Sequence, residues 1–91
     1  MREKVLHLVL QFKWFDLVAS GKKRIEYRRD CEFWRKRLEG KKFVTLHRGY
    51  SKNTMTFKIE RRKTVKGIIE IHLGHLVACC GNVKVLFPSM R

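Results

Sequence analysis

Gly21-Lys22-Lys23-Arg24-Ile25-Glu26-Tyr27-Arg28, continued by Arg29, sets one acid among five bases directly after the amphipathic stretch Trp14-Phe15-Asp16-Leu17-Val18-Ala19-Ser20. A solvated charge run has no need of a lone carboxylate at a fixed place. Upstream, Trp14, Phe15, Leu17 and Val18 recur at helical spacing between Phe12 and Ser20, and Gly21 supplies the left-handed residue that commonly ends a helix. From Arg24 to Arg28 a period of two puts Arg24, Glu26 and Arg28 on one face of a strand and Ile25 and Tyr27 on the other. The apolar pair is expected to face the core. Strict alternation would also turn Lys23 to that side, so Lys23 joins Glu26 and Arg28 only if the turn re-aims it.

Working outward, Val5 to Leu10 is apolar at both alternating sets of positions except His7, which predicts a buried strand rather than an edge. Asp30 suits the N-cap of a short helix in which Trp34 and Leu38 make the buried i,i+4 contact, Gly40 is the stop, and Arg35, Lys36 and Arg37 face outward. Further strands are predicted at Phe43 to Arg48, at Met55 to Arg61 with Met55, Phe57 and Ile59 on one face, and at Gly67 to Leu73. Gly49 to Asn53 is a connecting loop. Near the end, Val83 to Phe87 has the pattern of one more strand, halted by Pro88.

The spacing G-x-K-x-x-E-x-R, carried by Gly21, Lys23, Glu26 and Arg28, resembles the ASCH family, small β-barrel proteins related to the PUA RNA-binding fold. Phe33-Trp34-Arg35-Lys36-Arg37-Leu38 is similar to the aromatic-Trp-x-x-Arg-Leu segment of compact bacterial and phage members, Arg48-Gly49-Tyr50 to their Gly-Tyr loop, and Ile71-His72-Leu73-Gly74 to their closing strand. The resemblance runs over residues 5 to 77. It implies an α+β chain folded as a small PUA-like mixed β-barrel with one or two short helices, residues 1–78, followed by a tail, 79–91. Members of the family include binding modules, a nuclease and a hydrolase of acetylated cytidine, so the resemblance alone does not choose an activity.

Ninety-one residues make one small domain, and 44% hydrophobic residues with ten aromatics suffice for a core. The formal charge of +14, from 22 Lys and Arg against 8 Asp and Glu, repels itself in a compact state and calls for an anionic partner. Ten of the bases lie between Lys22 and Lys42 and seven between Arg48 and Lys66, which spreads the charge over several elements and favours RNA or a nucleotide over a membrane surface. No apolar run approaches the ~20 residues of a spanning helix and the N-terminus lacks a signal-peptide pattern, so a cytoplasmic monomer is expected. Cys31, Cys79 and Cys80 read as free thiols.

Lys23, Glu26 and Arg28 have a bland reading as a surface ion-pair cluster and a sharper one, in which a carboxylate fixed between bases orients a ligand at a concave site. On the sharper reading Glu26 accepts from a base edge while Lys23 and Arg28 meet phosphate or a carbonyl. Arg48 and Tyr50 are expected to complete the cleft, Tyr50 by stacking on an unpaired base, with Lys22, Arg24, Arg29 and Lys52 along the rim. Trp14, Phe15, Phe33 and Trp34 are better explained as core. His72, His75, Cys79 and Cys80 match no zinc spacing, and no metal or cofactor is implied. His7 and His47 fall in strands as structural or groove-lining residues. The alternative to an RNA-binding module is a hydrolase of RNA or of a modified nucleoside. Hydrolase members of the family use a lysine, a threonine and a distant glutamate: Lys23 matches the first, Glu26 stands where the threonine would, and Lys23 and Glu26 would then be the catalytic pair.

Overall fold

Alternation along each strand builds the sheet. In a computed structural model describing residues 4–81 and 83, the elements run β1 (Val5–Leu10), α1 (Phe12–Ala19), β2 (Ile25–Arg29), α2 (Glu32–Leu38), β3 (Phe43–Arg48), β4 (Thr54–Val65) and β5 (Ile68–Cys80). Leu6, Leu8 and Leu10 of β1, Val44 and Leu46 of β3, Met55 and Phe57 of β4, and Ile69, Ile71 and Leu73 of β5 turn to one side, where Phe15 and Val18 of α1 and Leu38 of α2 close over them. Each such side chain, fully buried, contributes roughly 1.5–3 kcal/mol. The fold is α+β: one five-stranded mixed sheet in the order β1-β3-β4-β5-β2, with β1 parallel to β3 and the other neighbours antiparallel.

The predicted strand over Phe43–Arg48 and the loop after it are observed. The two later strands are longer than their patterns suggest, since β4 and β5 form a hairpin whose two-residue turn, Lys66 and Gly67, has positive φ at both positions (50° and 80°), as a primed hairpin turn requires. Gly67 thus belongs to the turn and not to a strand, and β5 carries Cys79 and Cys80 opposite Met55 and Thr54. The strand pattern over Val83 to Phe87 lies outside the described residues apart from Val83, which packs against the core.

Three expectations are corrected. Among the described residues no pairing joins β1 to β2, the two ends of the order, so the sheet is not closed into a barrel. Register shifts between Thr56 and Arg61 interrupt the β4–β5 ladder, and irregularities of this kind increase local twist and bend. Second, β1 is an end strand rather than a buried one: Val9 is half exposed and His7 exposed, because only the leucines turn inward. Third, Asp30 does not cap α2. Its N–H continues the β2–β5 ladder by donating to the Gly67 carbonyl (3.0 Å), which keeps the backbone extended there; Cys31 takes the N-cap position without a side-chain bond, and the Asp30 carboxylate accepts instead from Arg35 (3.3 Å).

Trp34 and Leu38 do meet the core as predicted, Leu38 fully buried and Trp34 partly. Among the described residues no helix is long and apolar enough to cross a membrane.

On the outer side of β1 and β3, His7 Nδ1 and His47 Nε2 lie 2.9 Å apart. Burial, and then the neighbouring His7, hold the His47 pKa below its ordinary 6.5. The unfolded chain therefore takes up this proton first as pH falls, and the native state loses stability through the window just below pH 6.5 while keeping it above. The melting temperature should drop between pH 7.5 and 5.5, and His47→Gln should flatten that slope; an unchanged slope in the variant would remove His47 from the account.

Candidate functional site

Helix α1 ends in a way that decides where Lys23 points. Gly21, at φ 83°, donates to the Val18 carbonyl (3.0 Å), and the Lys22 and Lys23 N–H groups both donate to the Leu17 carbonyl (3.0 and 3.2 Å). The first two bonds are those of a Schellman C-cap. Lys23 consequently precedes the strand, escapes its alternation, and reaches Glu26 Oε1 with Nζ at 2.9 Å. From the other side Arg28, two residues along the same face, donates through Nη1 to Glu26 Oε2 at 2.8 Å. Each cation is also tied to the strand, Lys23 Nζ donating to the Ile25 carbonyl and Arg28 Nη1 to that of Tyr27 (2.7 Å).

Glu26 is buried, with 5% of its surface exposed, whereas Tyr27 is 47% exposed and Ile25 only half-buried. The expectation that Ile25 and Tyr27 face the core is therefore reversed. Register gives the reason: Glu26 stands beside Ile71 and Arg28 beside Ile69, both of them inward positions. Charge is tolerated there because the carboxylate is bonded at both oxygens and the Arg28 guanidinium lies over the Trp34 ring, 5.2 Å from its centroid.

This cluster forms one wall of a cleft of about 480 Å³ between the two ends of the sheet. Val9 and Leu10 at the end of β1, and Gln11 and Trp14 at the start of α1, form the other wall. Trp14 is thus a site residue that sequence reasoning assigned to the core. Six of the eight residues of α1 are apolar, yet the core takes only Phe15, Val18 and Ala19, a single stripe. That surplus was the available signal. Phe33 is likewise exposed, against expectation, and packs edge-on to Trp34.

Of the expected site residues, Lys23, Glu26 and Arg28 converge, while Arg48 and Tyr50 do not line the cleft. Arg48 forms a two-point bond with Asp16 (Nε to Oδ1 2.9 Å, Nη2 to Oδ2 3.1 Å) and stacks over Phe12 at 4.1 Å. That hydrogen bond holds the Asp16 carboxyl below its ordinary 3.8. Gly49, at φ 58°, lets the loop lie against Phe12, since a Cβ there would stand 2.6 Å from the ring. Tyr50 beyond it is 97% exposed. Lys22, Arg29 and Lys52 are exposed, and Arg24 bridges to the Leu73 and Gly74 carbonyls of β5 (3.1 and 3.3 Å). His72 bonds Glu70 (3.0 Å), and among the described residues no three His, Cys, Asp or Glu side chains gather to hold a metal.

A larger depression, about 610 Å³, lies between α2 and the β4–β5 hairpin, where Lys36 pairs with Glu32 (3.5 Å) and Arg62 donates to the Leu38 carbonyl (2.8 Å). The smaller cleft is the one that holds the buried carboxylate between its two cations beside an exposed Trp14. Compared with protein-family models, curated proteins and solved structures, the chain matches none.

Removing Glu26 leaves two cations, each with about a fifth of its side chain exposed, facing one another. Glu26→Ala should cost roughly 3 kcal/mol, the low end for breaking a buried pair. Chemical denaturation of the double variant Glu26→Ala, Lys23→Met should recover part of that loss; strict additivity would mean the two side chains do not interact.

Proposed function

We propose that this chain is an RNA-binding module whose recognition cleft is built around Lys23, Glu26 and Arg28, and that its curled sheet is an open variant of the PUA-like barrel of the ASCH family. The observation that carries the reading is the buried carboxylate held between two cations in a cleft flanked by the exposed aromatics Trp14 and Tyr27, on a chain of net charge +14. Its size is in the range of small-ligand sites, large enough to admit an unpaired base. Stacking on an aromatic contributes ~1–3 kcal/mol per base and is indifferent to base identity. Glu26 adds what stacking lacks. With each oxygen still able to accept, it favours a base edge that presents an amino group, while Lys23 and Arg28 present donors to carbonyl or phosphate. The exposed bases Lys22, Arg29 and Lys52, with Tyr50 on its anchored loop, extend the contact beyond the cleft.

The hydrolase alternative has weaker support. The Lys23 ammonium is occupied by Glu26 and by the Ile25 carbonyl, and the described lining of the cleft contains no serine, threonine, cysteine or histidine to serve as a nucleophile or proton shuttle. The purified protein should release no more product from acetylated cytidine than a Lys23→Ala variant does; turnover lost in both Lys23→Ala and Glu26→Gln, with folding preserved, would reverse the choice.

RNA binding itself is tested by a salt series on single-stranded and duplex oligonucleotides. Affinity for single strands should fall steeply, by about 0.7 in log K per log salt for each phosphate neutralised. Glu26→Gln should bind RNA in general more tightly, because a negative charge is gone, but discriminate less between sequences. No binding at low salt, or uniformly tighter binding with unchanged preference, would count respectively against the module and against the role of Glu26.

A further inference from the structure

Two bonds at opposite ends of β2 fix which way its backbone groups point. The Leu73 N–H donates to the Arg24 carbonyl and the Asp30 N–H to the Gly67 carbonyl, each at 3.0 Å, and both pairs continue the β2–β5 register. In an antiparallel ladder bonded and non-bonded pairs alternate, so Glu26 and Arg28 exchange bonds with Ile71 and Ile69, while the N–H and C=O of Ile25, Tyr27 and Arg29 point away from β5. Because β2 is the end of the sheet, that edge faces the cleft it shares with β1.

The edge is unusual in its polarity. Its carbonyls at Ile25 and Tyr27 are taken by Lys23 Nζ and Arg28 Nη1. Donors left unused beside those carbonyls are the Tyr27 N–H, the third hydrogen of the Lys23 ammonium, and the Nε and Nη2 hydrogens of Arg28, with the Glu26 carboxylate as the acceptor set between the two cations. An incoming β-strand needs alternating donors and acceptors and finds the acceptors at Ile25 and Tyr27 already engaged, leaving only that of Arg29, so peptide addition is disfavoured. A group made only of acceptors can use the remaining donors without those carbonyls. The Glu26 carboxylate is one negative charge against two positive ones, leaving the cluster at net +1, and it holds both cations against the strand.

We propose that the free edge of β2 is an oxyanion site, in which the Tyr27 N–H, Lys23 and Arg28 hold one phosphate of a bound RNA strand. The assignment rests on the RNA-binding reading above and adds to it a single anchoring phosphate at a fixed place in the chain. Surface lysines contribute non-specific attraction; a backbone N–H between two fixed cations fixes register as well, since it sets where the adjoining base falls relative to Glu26 and Trp14.

The test is amide NMR on the full chain with four probes: uridine, uridine 5′-monophosphate, inorganic phosphate, and a single-stranded decanucleotide with one neutral methylphosphonate moved along its backbone. The Tyr27 amide resonance should move with the decanucleotide and not with uridine, and one methylphosphonate position should weaken binding about tenfold while the others cost less. Arg28→Lys, which keeps charge and loses the fork, should produce a similar loss and abolish the dependence on that position. The methylphosphonate arm uses the wild type and stands if the variant fails to fold. Decanucleotide binding with an unmoved Tyr27 amide and no sensitive position would overturn the oxyanion site and leave the module intact. Response to inorganic phosphate or the monophosphate alone would overturn the RNA-strand assignment in favour of a free-phosphate or nucleotide site. Silence from every probe would remove both.

Discussion

Glu26 occupies a position that the neighbouring strand β5 fills with Ile69, Ile71 and Leu73, and the arrangement of this end of the molecule follows from keeping a carboxylate there. An unpaired buried carboxylate costs several kcal/mol, so it must be bonded at both oxygens. Lys23 and Arg28 do this from opposite sides, and because each also binds a strand carbonyl they are held against β2 rather than spread into water. The ion triple therefore does for the strand edge what a neighbouring strand would otherwise do. It satisfies outward carbonyls, and β2 remains the last strand.

That consequence joins the fold to the site. A closed barrel would pair β1 with β2 and leave no gap; here the two ends of the sheet face each other across a cleft, with Leu10 turned to the core and Val9 and Trp14 offering apolar surface to the gap. Apolar residues left outside a small core are normally a liability, yet these lie beside a fixed pair of cations. Such a pairing of flat apolar surface with directed charge suits a ligand that is itself an aromatic plane attached to an anion.

How much of this was readable beforehand depends on the kind of constraint. The helix-terminating Gly21, the strand over Phe43–Arg48, the loop after it and the seating of Trp34 and Leu38 on the core were legible because each rests on local chemistry or on a short period. The convergence of Lys23, Glu26 and Arg28 was legible as a spacing but not as a geometry. A period-two pattern identifies two faces without saying which is inward, and the assumption that apolar Tyr27 must be buried assigned them the wrong way round. The end position of β1 and the exposure of Trp14 depend on strand order, which no local pattern carries. Arg48 and Tyr50 were grouped with the cleft by residue type, loop position and resemblance to a Gly-Tyr loop, whereas Asp16, thirty-two residues away in sequence, claims Arg48.

The charge of the chain gives the cleft a second physical role. Twenty-two cations against eight anions on a domain this small raise its electrostatic self-energy, and most of the bases on the β4–β5 hairpin, including Arg61, Lys63 and Lys66, are exposed. Spread over a surface, that charge attracts any polyanion and selects none. Selection requires some cations to be fixed while the rest remain free, because only a fixed cation penalises a ligand whose phosphate falls in the wrong place. Burying one carboxylate accomplishes this: it sacrifices one apolar contact and one unit of net charge, and in return Lys23 and Arg28 acquire defined positions on a strand edge whose Ile25 and Tyr27 carbonyls they engage. The interaction that engages the free edge of β2 is thereby the same one that, on the RNA-binding reading proposed above, would distinguish a seated strand from one merely attracted to the surface.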